Sequence, residues 1–160
     1  MNNVLITGGA GYLGSTLTEV LLDKGYHVDV LDNLIYEQTS LLHLCSDKTF
    51  RFINRDVTDF EFLKRIVHLY DVIIPLAAIV GAPACDKNKE LATKVNFEQI
   101  KCIVDNLTDE QKLIMPNTNS QYGSSEEVIT EDSNFISCDK NNRFQWRSEY
   151  LTSKFIIMNA

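Results

Sequence analysis

The chain lacks any hydrophobic run long enough to cross a membrane. Its longest apolar stretch, residues 72–84, is 13 residues long and contains Pro75, Gly81 and Pro83, whereas a spanning helix needs about 20 apolar residues. The N-terminus shows no basic segment before an apolar run, so no secretory signal peptide is predicted. We therefore expect a cytoplasmic protein.

Positive charge is also scarce. The 15 Lys and Arg residues are outnumbered by 22 Asp and Glu residues, which gives a formal net charge of −7. Such a chain cannot broadly neutralise a phosphate backbone, and an anionic membrane surface would repel it. We expect neither a nucleic acid nor a membrane as a partner, although a small local anion site stays compatible with this charge.

The four cysteines follow no metal-binding or redox pattern. Cys45, Cys85, Cys102 and Cys138 are separated by 40, 17 and 36 residues, which fits neither zinc-ligand spacing nor a Cys-x-x-Cys motif. We expect reduced thiols that serve as small buried hydrophobic side chains, and no metal site.

The composition that remains is typical of one globular domain: 160 residues, 44% hydrophobic and 23% charged. Strands are predicted at residues 4–6, 28–31, 50–53, 71–74 and 113–115, and helices at residues 12–22, near 41–42, 59–69, 89–106 and from about 147 to the end. Gly25 is predicted to end the first helix and Thr58 to cap the one from 59. Strands that alternate with helices imply a parallel, doubly wound α/β sheet.

A glycine-rich segment joins the first predicted strand to the first helix. Residues 7–14 read Thr-Gly-Gly-Ala-Gly-Tyr-Leu-Gly, with glycines at Gly8, Gly11 and Gly14. A helix N-terminus carries unpaired N–H groups and about half a positive charge, and glycine lets a pyrophosphate approach that backbone. Asp32 follows Gly14 by 18 residues; a carboxylate there can accept from both adenosine ribose hydroxyls and repel a 2′-phosphate. The pattern favours NAD over NADP; the alternative is a plain turn with a solvated aspartate.

Two further segments carry groups suited to proton transfer. Tyr150 and Lys154 are four residues apart, so they share one face of a helix, and the ammonium favours the phenolate of a tyrosine whose pKa is normally about 10. Such a tyrosine can act as general base or acid at a sugar hydroxyl or carbonyl. Thr118 follows the fifth strand, where its hydroxyl can donate to the reacting oxygen. The alternatives are a surface pair and ordinary turn chemistry.

Together these segments resemble the extended short-chain dehydrogenase/reductases, and more narrowly the NAD-dependent epimerase/dehydratase group that acts on nucleotide sugars. The resemblance rests, in chain order, on the glycine loop, Asp32-Asn33-Leu34, Asp56-Val57, Leu76-Ala77-Ala78, the segment from Thr118 to Tyr122-Gly123, and Tyr150-x-x-x-Lys154. It implies a Rossmann-type NAD-binding domain over residues 1–160, with NAD as the cofactor and a nucleotide sugar as the substrate.

The resemblance also implies a role for each matching residue. The implied sets are Gly8, Gly11, Tyr12 and Leu13 at the pyrophosphate, Asp32 and Asn33 at the adenosine ribose, Asp56 and Val57 at the adenine, Leu76, Ala77 and Ala78 along the dinucleotide cleft, Asn96 near the cofactor, and Thr118, Tyr150 and Lys154 as the catalytic trio. Lys154 would also bind the nicotinamide ribose. For Asn96 the alternative is a polar residue on a helix face.

The segment before Tyr122 departs from the dehydratases of this group. They carry Thr-Asp-Glu there, whereas this chain has Thr118-Asn119-Ser120, so the acid and base for water elimination are missing. We therefore expect an epimerase that works through a transient keto-sugar, with a ketosugar reductase as the alternative.

Family members continue well beyond the Tyr-x-x-x-Lys helix, whereas this chain stops six residues after Lys154. We expect the N-terminal portion of a longer enzyme, with its sheet truncated before the last strands and its C-terminal substrate domain absent. A non-catalytic NAD-binding fragment is a further alternative. The resemblance also implies a homodimer.

Overall fold

The computed structural model describes residues 2–117 and 155–159, and within them six strands form one sheet in the order β3-β2-β1-β4-β5-β6. Every neighbouring pair is parallel, which confirms the predicted α/β sheet. The strands are β1 Asn3–Thr7, β2 His27–Asp32, β3 Phe50–Asn54, β4 Val72–Pro75, β5 Lys112–Asn117 and β6 Phe155–Asn159.

Helices follow β1, β3 and β4, and each leads to the next parallel strand. They are α1 Tyr12–Asp23, α2 Phe60–Ile66, α3 Ala82–Lys87, α4 Lys89–Thr93 and α5 Gln99–Asp105. Tighter 3₁₀ turns occupy Leu42–Leu44 and Val67–Leu69, and a π-helical turn, Lys94–Glu98, joins α4 to α5. None of the helices in the described part of the chain is long and apolar enough to span a membrane.

The core lies on both faces of the sheet because side chains alternate along each strand. Leu5 of β1 packs on the face covered by α2 and α5, whereas Val4 and Ile6 pack on the face covered by α1. All three side chains are at most 1% exposed. Burial on both faces explains why the central strands β1 and β4 are continuous apolar runs rather than alternating ones.

The helix α1 ends just before Gly25, as predicted. Gly25 has a φ of +81°, its N–H donates to the Leu22 carbonyl at 2.8 Å, and the Tyr26 N–H donates to the Leu21 carbonyl at 3.1 Å. These two bonds form a Schellman motif, which turns the chain sharply into β2.

Two helix predictions need correction. The second long helix is capped by Asp59, whose Oδ1 accepts from the Phe62 N–H at 3.1 Å, and not by Thr58, which binds Asp56 instead. The sequence prediction also missed α3, which starts after Gly81 and carries Pro83 in its first turn. Proline is favoured in the first turn of a helix, where its missing N–H costs no hydrogen bond.

The helix predicted to run to the end of the chain is wrong for residues 155–159. These residues form β6, paired with β5 from Leu113 opposite Phe155 to Asn117 opposite Asn159. A short apolar run with adjacent β-branched Ile156 and Ile157 favours a buried parallel strand over a helix.

The cysteine prediction holds only in part. Cys45, Cys85 and Cys102 are free thiols, but Cys45 is exposed and the other two are only half-buried. Burial is the largest influence on Cys102 and raises the pKa of its thiol. Cys138 lies outside the described residues.

Candidate functional site

Those predicted cofactor residues that the structure describes lie at or near the carboxyl-terminal edge of β1, β2, β3 and β4. The strand order reverses between β1 and β4, and a crevice at such a reversal is where open parallel sheets bind ligands. Each of these strands contributes the loop that follows it.

The loop after β1 requires glycine at two close approaches. Gly8 has a φ of +69°, and a Cβ on it would lie 2.5 Å from the Ala77 nitrogen. Its N–H donates to the Leu31 carbonyl at 2.8 Å, which ties the loop to β2. A Cβ on Gly14 would lie 2.5 Å from the Gly9 Cα. The glycine spacing therefore lets α1 and the loop after β4 both press against the same turn.

The first turn of α1 faces outward. Gly11 caps the helix with no side-chain hydrogen bond, and the next two side chains, Tyr12 and Leu13, are 97% and 54% exposed. The N–H groups of this turn therefore have no side-chain acceptor, and they supply the positive end of the helix dipole. This surface can accept an anionic group.

Asp32, the last residue of β2, binds the glycine loop through its carboxylate. It is only 7% exposed; its Oδ2 accepts from the Ala10 N–H at 3.0 Å and its Oδ1 accepts from the Leu34 N–H at 2.8 Å. A carboxylate has about four acceptor positions, so two remain for a ligand. The residue thus shapes the loop and keeps capacity for ribose hydroxyls.

Asn33 and Asp56 connect the ends of β2 and β3. The Asn33 amide donates to Asp56 Oδ2 at 2.8 Å, and Asp56 Oδ1 accepts from the N–H and hydroxyl of Thr58 at 2.8 and 2.7 Å. Partial burial favours the neutral acid, but the bonds from Thr58 and Asn33 outweigh it and hold the pKa of Asp56 below its usual value. The neighbouring Val57 side chain is 6% exposed and packs in the core.

The segment after β4 forms the opposite wall of the crevice. The Leu76 N–H donates to the Thr7 carbonyl at 2.9 Å, Ala77 lies against Gly8, and Ala78 is exposed. We call Leu76 to Ile79 the cleft wall. Asn96 binds both backbone groups of Ile79: its Oδ1 accepts from the N–H at 2.8 Å and its Nδ2 donates to the carbonyl at 2.9 Å. The structure therefore brings Asn96 to the wall through its backbone.

Two residues of this arrangement were missed from sequence. Thr7 and Gln99 are both 0% exposed, and the Thr7 hydroxyl donates to Gln99 Oε1 at 3.4 Å. The sequence carried one signal for Gln99: this amide residue lies four residues after Val95 and four before Ile103, on the helix face that packs against the core. Ser40 was also missed; its hydroxyl donates to the Ala10 carbonyl at 2.8 Å.

The predicted catalytic trio lies outside the described residues. Thr118 directly follows β5, and Lys154 directly precedes β6. The assignments of Thr118, Tyr150 and Lys154 therefore stay predictions.

Comparison with known proteins gives a consistent result. Residues 4–159 match the model of the NAD dependent epimerase/dehydratase family. The chain is 31% identical over 129 residues to the UDP-N-acetyl-alpha-D-glucosaminuronate decarboxylase of Bacillus cytotoxicus, covering 80% of this chain and 40% of that protein. It is 31% identical over 142 residues to the UDP-glucuronate 4-epimerase of Thermodesulfobacterium geofontis, covering 82% and 44%.

The fold is similar to solved structures of comparable enzymes. The UDP-glucuronic acid 4-epimerase of Bacillus cereus, in complex with UDP-glucuronic acid and NAD, superposes with a TM-score of 0.72 at 27% identity, covering 84% of this chain and 46% of that one. The chain thus spans less than half the length of the relatives named here.

Proposed function

The chain belongs to the NAD-dependent epimerase/dehydratase family, and on that premise we propose that it binds NAD at the carboxyl-terminal edge of β1 to β4 and acts in the epimerisation of a nucleotide sugar. The family is NAD-dependent, and the related B. cereus epimerase was solved with NAD bound. The observation that carries the proposal is the cradle in which the Gly8 and Ala77 backbones meet beside Asp32.

The residues present fit a dinucleotide. A side chain on Gly8 would overlap the Ala77 backbone, so glycine allows the loop to pack directly against the cleft wall. The exposed first turn of α1 offers N–H groups to a pyrophosphate. Asp32 would accept from the adenosine ribose with its remaining acceptor positions. A buried carboxylate there opposes a 2′-phosphate, which supports NAD over NADP.

The adenine would lie near the Asn33–Asp56 pair, whose hydrogen bond fixes both side chains at the ends of β2 and β3. Because Val57 packs in the core, only its backbone is proposed to face the base. The path toward the nicotinamide would be lined by Leu76, Ala77 and Ala78. Asn96 would keep this segment in place through its hydrogen bonds to the Ile79 backbone.

NAD, when bound, would supply the oxidation and reduction of the sugar carbon. Tyr150 would take the proton from a sugar hydroxyl and return it, with the Lys154 ammonium favouring the phenolate. The Thr118 hydroxyl would donate to the same oxygen and orient it. These three roles are supported by the order of the family motifs in this sequence.

Calorimetric titration of the 160-residue chain with NAD and with NADP tests the binding step. We expect NAD to bind more tightly than NADP, and Asp32→Asn to weaken NAD binding by about tenfold, since it replaces a charged acceptor at the ribose. Asp29→Asn is the matched control, because it makes the same change in β2 three residues earlier, away from the glycine loop. Absence of NAD binding, or equal losses in both variants, would refute the proposed site.

The catalytic step is tested in the full-length protein. We expect Tyr150→Phe to retain NAD affinity and abolish epimerisation of UDP-glucose and UDP-glucuronic acid. Unchanged turnover in Tyr150→Phe would remove the proposed acid–base role. NAD binding without turnover of either sugar by the wild-type chain would support the non-catalytic alternative.

A further inference from the structure

Gln99 is a buried amide whose donors and acceptor are all used close to the crevice. Its Nε2 donates to the Ala77 carbonyl at 2.5 Å and to the Val95 carbonyl at 2.6 Å. Its Oε1 accepts from the Thr7 hydroxyl at 3.4 Å, and that hydroxyl oxygen accepts from the Ala77 N–H at 3.4 Å. Gln99 and Thr7 together therefore bind both backbone groups of Ala77.

The π-helical turn explains how Gln99 reaches this position. In a regular α-helix the Gln99 N–H would bond the Val95 carbonyl, four residues earlier. Here it donates to the Lys94 carbonyl, five residues earlier, and the Gln99 side chain binds the Val95 carbonyl instead. The turn thus keeps Val95 satisfied while the same amide group extends to the cleft wall.

Asn96 and Gln99 act on alternate residues of the cleft wall. Asn96 binds the N–H and carbonyl of Ile79, as Gln99 and Thr7 do for Ala77. Successive residues of an extended segment present their N–H and carbonyl groups to opposite sides, so the alternate residues Ala77 and Ile79 share one side. Two side-chain amides therefore replace a neighbouring strand along one side of the wall and leave the exposed Ala78 between them on the other side.

We propose that Gln99 is a positioning residue that holds the Ala77 backbone against Gly8 and thereby sets the affinity of the crevice for the dinucleotide without touching it. The expected effect of Gln99 on NAD affinity rests on the proposed function, whereas its effect on the cleft wall rests on the hydrogen bonds alone. Ala77 is the residue whose backbone meets the glycine loop, at the position where a Gly8 Cβ would lie 2.5 Å from its nitrogen. Loss of the Gln99 bond would let this contact open.

Gln111 provides a matched control elsewhere in the same fold. It is 7% exposed, its Nε2 donates to the carbonyls of Val67 and Tyr70 at 2.7 and 2.6 Å, and its Oε1 accepts from the Thr108 N–H at 2.9 Å. It precedes β5, at the amino-terminal edge of the sheet and away from the crevice. Both glutamines therefore bridge two carbonyls and one donor, but only Gln99 contacts the cleft wall.

The experiment compares Gln99→Met with Gln111→Met in the 160-residue chain. Both changes are expected to lower the melting temperature. Only Gln99→Met is expected to speed amide hydrogen exchange at Ala77 and to raise the calorimetric Kd for NAD, each by about tenfold, the equivalent of one lost hydrogen bond. Equal exchange at Ala77 in the two variants, or an NAD affinity equal to that of wild type in Gln99→Met, would overturn the proposal.

A second variant and the exchange readout keep the test decisive. If Gln99→Met does not fold, Thr7→Val removes the hydroxyl between Ala77 and Gln99 with little change in volume, and the same two increases are expected. If the wild-type chain does not bind NAD, the proposed function fails, and exchange at Ala77 alone decides whether Gln99 positions the wall.

Discussion

Replacing Gly8 with alanine separates backbone strain from the close approach at the crevice. The new Cβ would lie 2.5 Å from the Ala77 nitrogen, so the two segments would have to separate by about 0.9 Å to reach an ordinary 3.4 Å contact. The left-handed φ of +69° adds a cost of about 1–2 kcal/mol for any residue with a Cβ. Overpacking of this kind costs a further 1–3 kcal/mol, roughly.

Gly81→Ala is the matched control. Gly81 has a similar φ of +87°, but a Cβ there would meet only the Pro83 Cδ, at 4.0 Å. Both substitutions place a Cβ at a positive φ and gain similarly from a less flexible unfolded chain. The ψ of +136° at Gly81 gives its alanine variant at least the strain of a left-handed residue, so a lower melting temperature for Gly8→Ala reports the overlap with Ala77. A chain of this size loses about 2–4 °C of melting temperature per kcal/mol.

Thermal unfolding followed by circular dichroism is the assay. Gly8→Ala is expected to melt about 2–12 °C below Gly81→Ala and to bind NAD more weakly, whereas Gly81→Ala keeps wild-type affinity. Equal melting temperatures in the two variants would show that the loop after β4 yields without cost, and the cradle would then not be rigid.

Three further outcomes follow from other parts of the fold. The pKa of Asp56 is lower in the folded protein than its unfolded value of about 3.9. The ionised carboxylate therefore stabilises the fold above that pH, and this stabilisation is lost as the pH falls through the folded pKa. Asp56→Asn should flatten the decline in the free energy of unfolding, measured in urea, below pH 4. Burial, and after it the 2.5 Å hydrogen bond to Asp29, raises the pKa of Tyr70. The stabilisation by the neutral phenol is therefore lost at alkaline pH, above about 10. Tyr70→Phe should flatten that alkaline decline and lower the free energy of unfolding at pH 7 by about 1.5–3 kcal/mol. Leu5→Ala removes a fully buried side chain and should cost about 2–5 kcal/mol in urea unfolding.

Strand positions could be predicted from sequence because β1 and β4 are short runs of apolar residues and β2 and β3 are rich in Val, Ile, Leu and Phe. The run from Val4 to Ile6 and the one from Val28 to Leu31 correspond closely to β1 and β2. Periodicity failed where an apolar run has no flanking turn signal, as at β6. It also cannot reveal a π-helical turn, because one extra residue per turn changes the pattern too little to be noticed in residues 94–98.

The candidate site divides in the same way. Gly8, Gly11 and Asp32 could be predicted because their chemistry depends on spacing along the chain. Thr7 and Gln99 could not be predicted, because they are 92 residues apart in sequence and only tertiary packing brings them together. The hydrogen bond from the Ala10 N–H to the Asp32 carboxylate was likewise not predicted, because a carboxylate at this position suggests a ligand rather than a backbone partner.

The central position of β1 has a consequence for synthesis on the ribosome. β1 emerges first and can pair with β2 almost at once, but its other edge stays uncovered until β4 has followed, 43 residues after the end of β2. At about 5–20 residues per second that interval lasts roughly 2–9 s. An unpaired apolar edge invites pairing with a neighbouring chain. Nascent chains released before Pro75 are therefore expected to aggregate, and translation through residues 33–75 is the period in which a chaperone would protect the growing protein most.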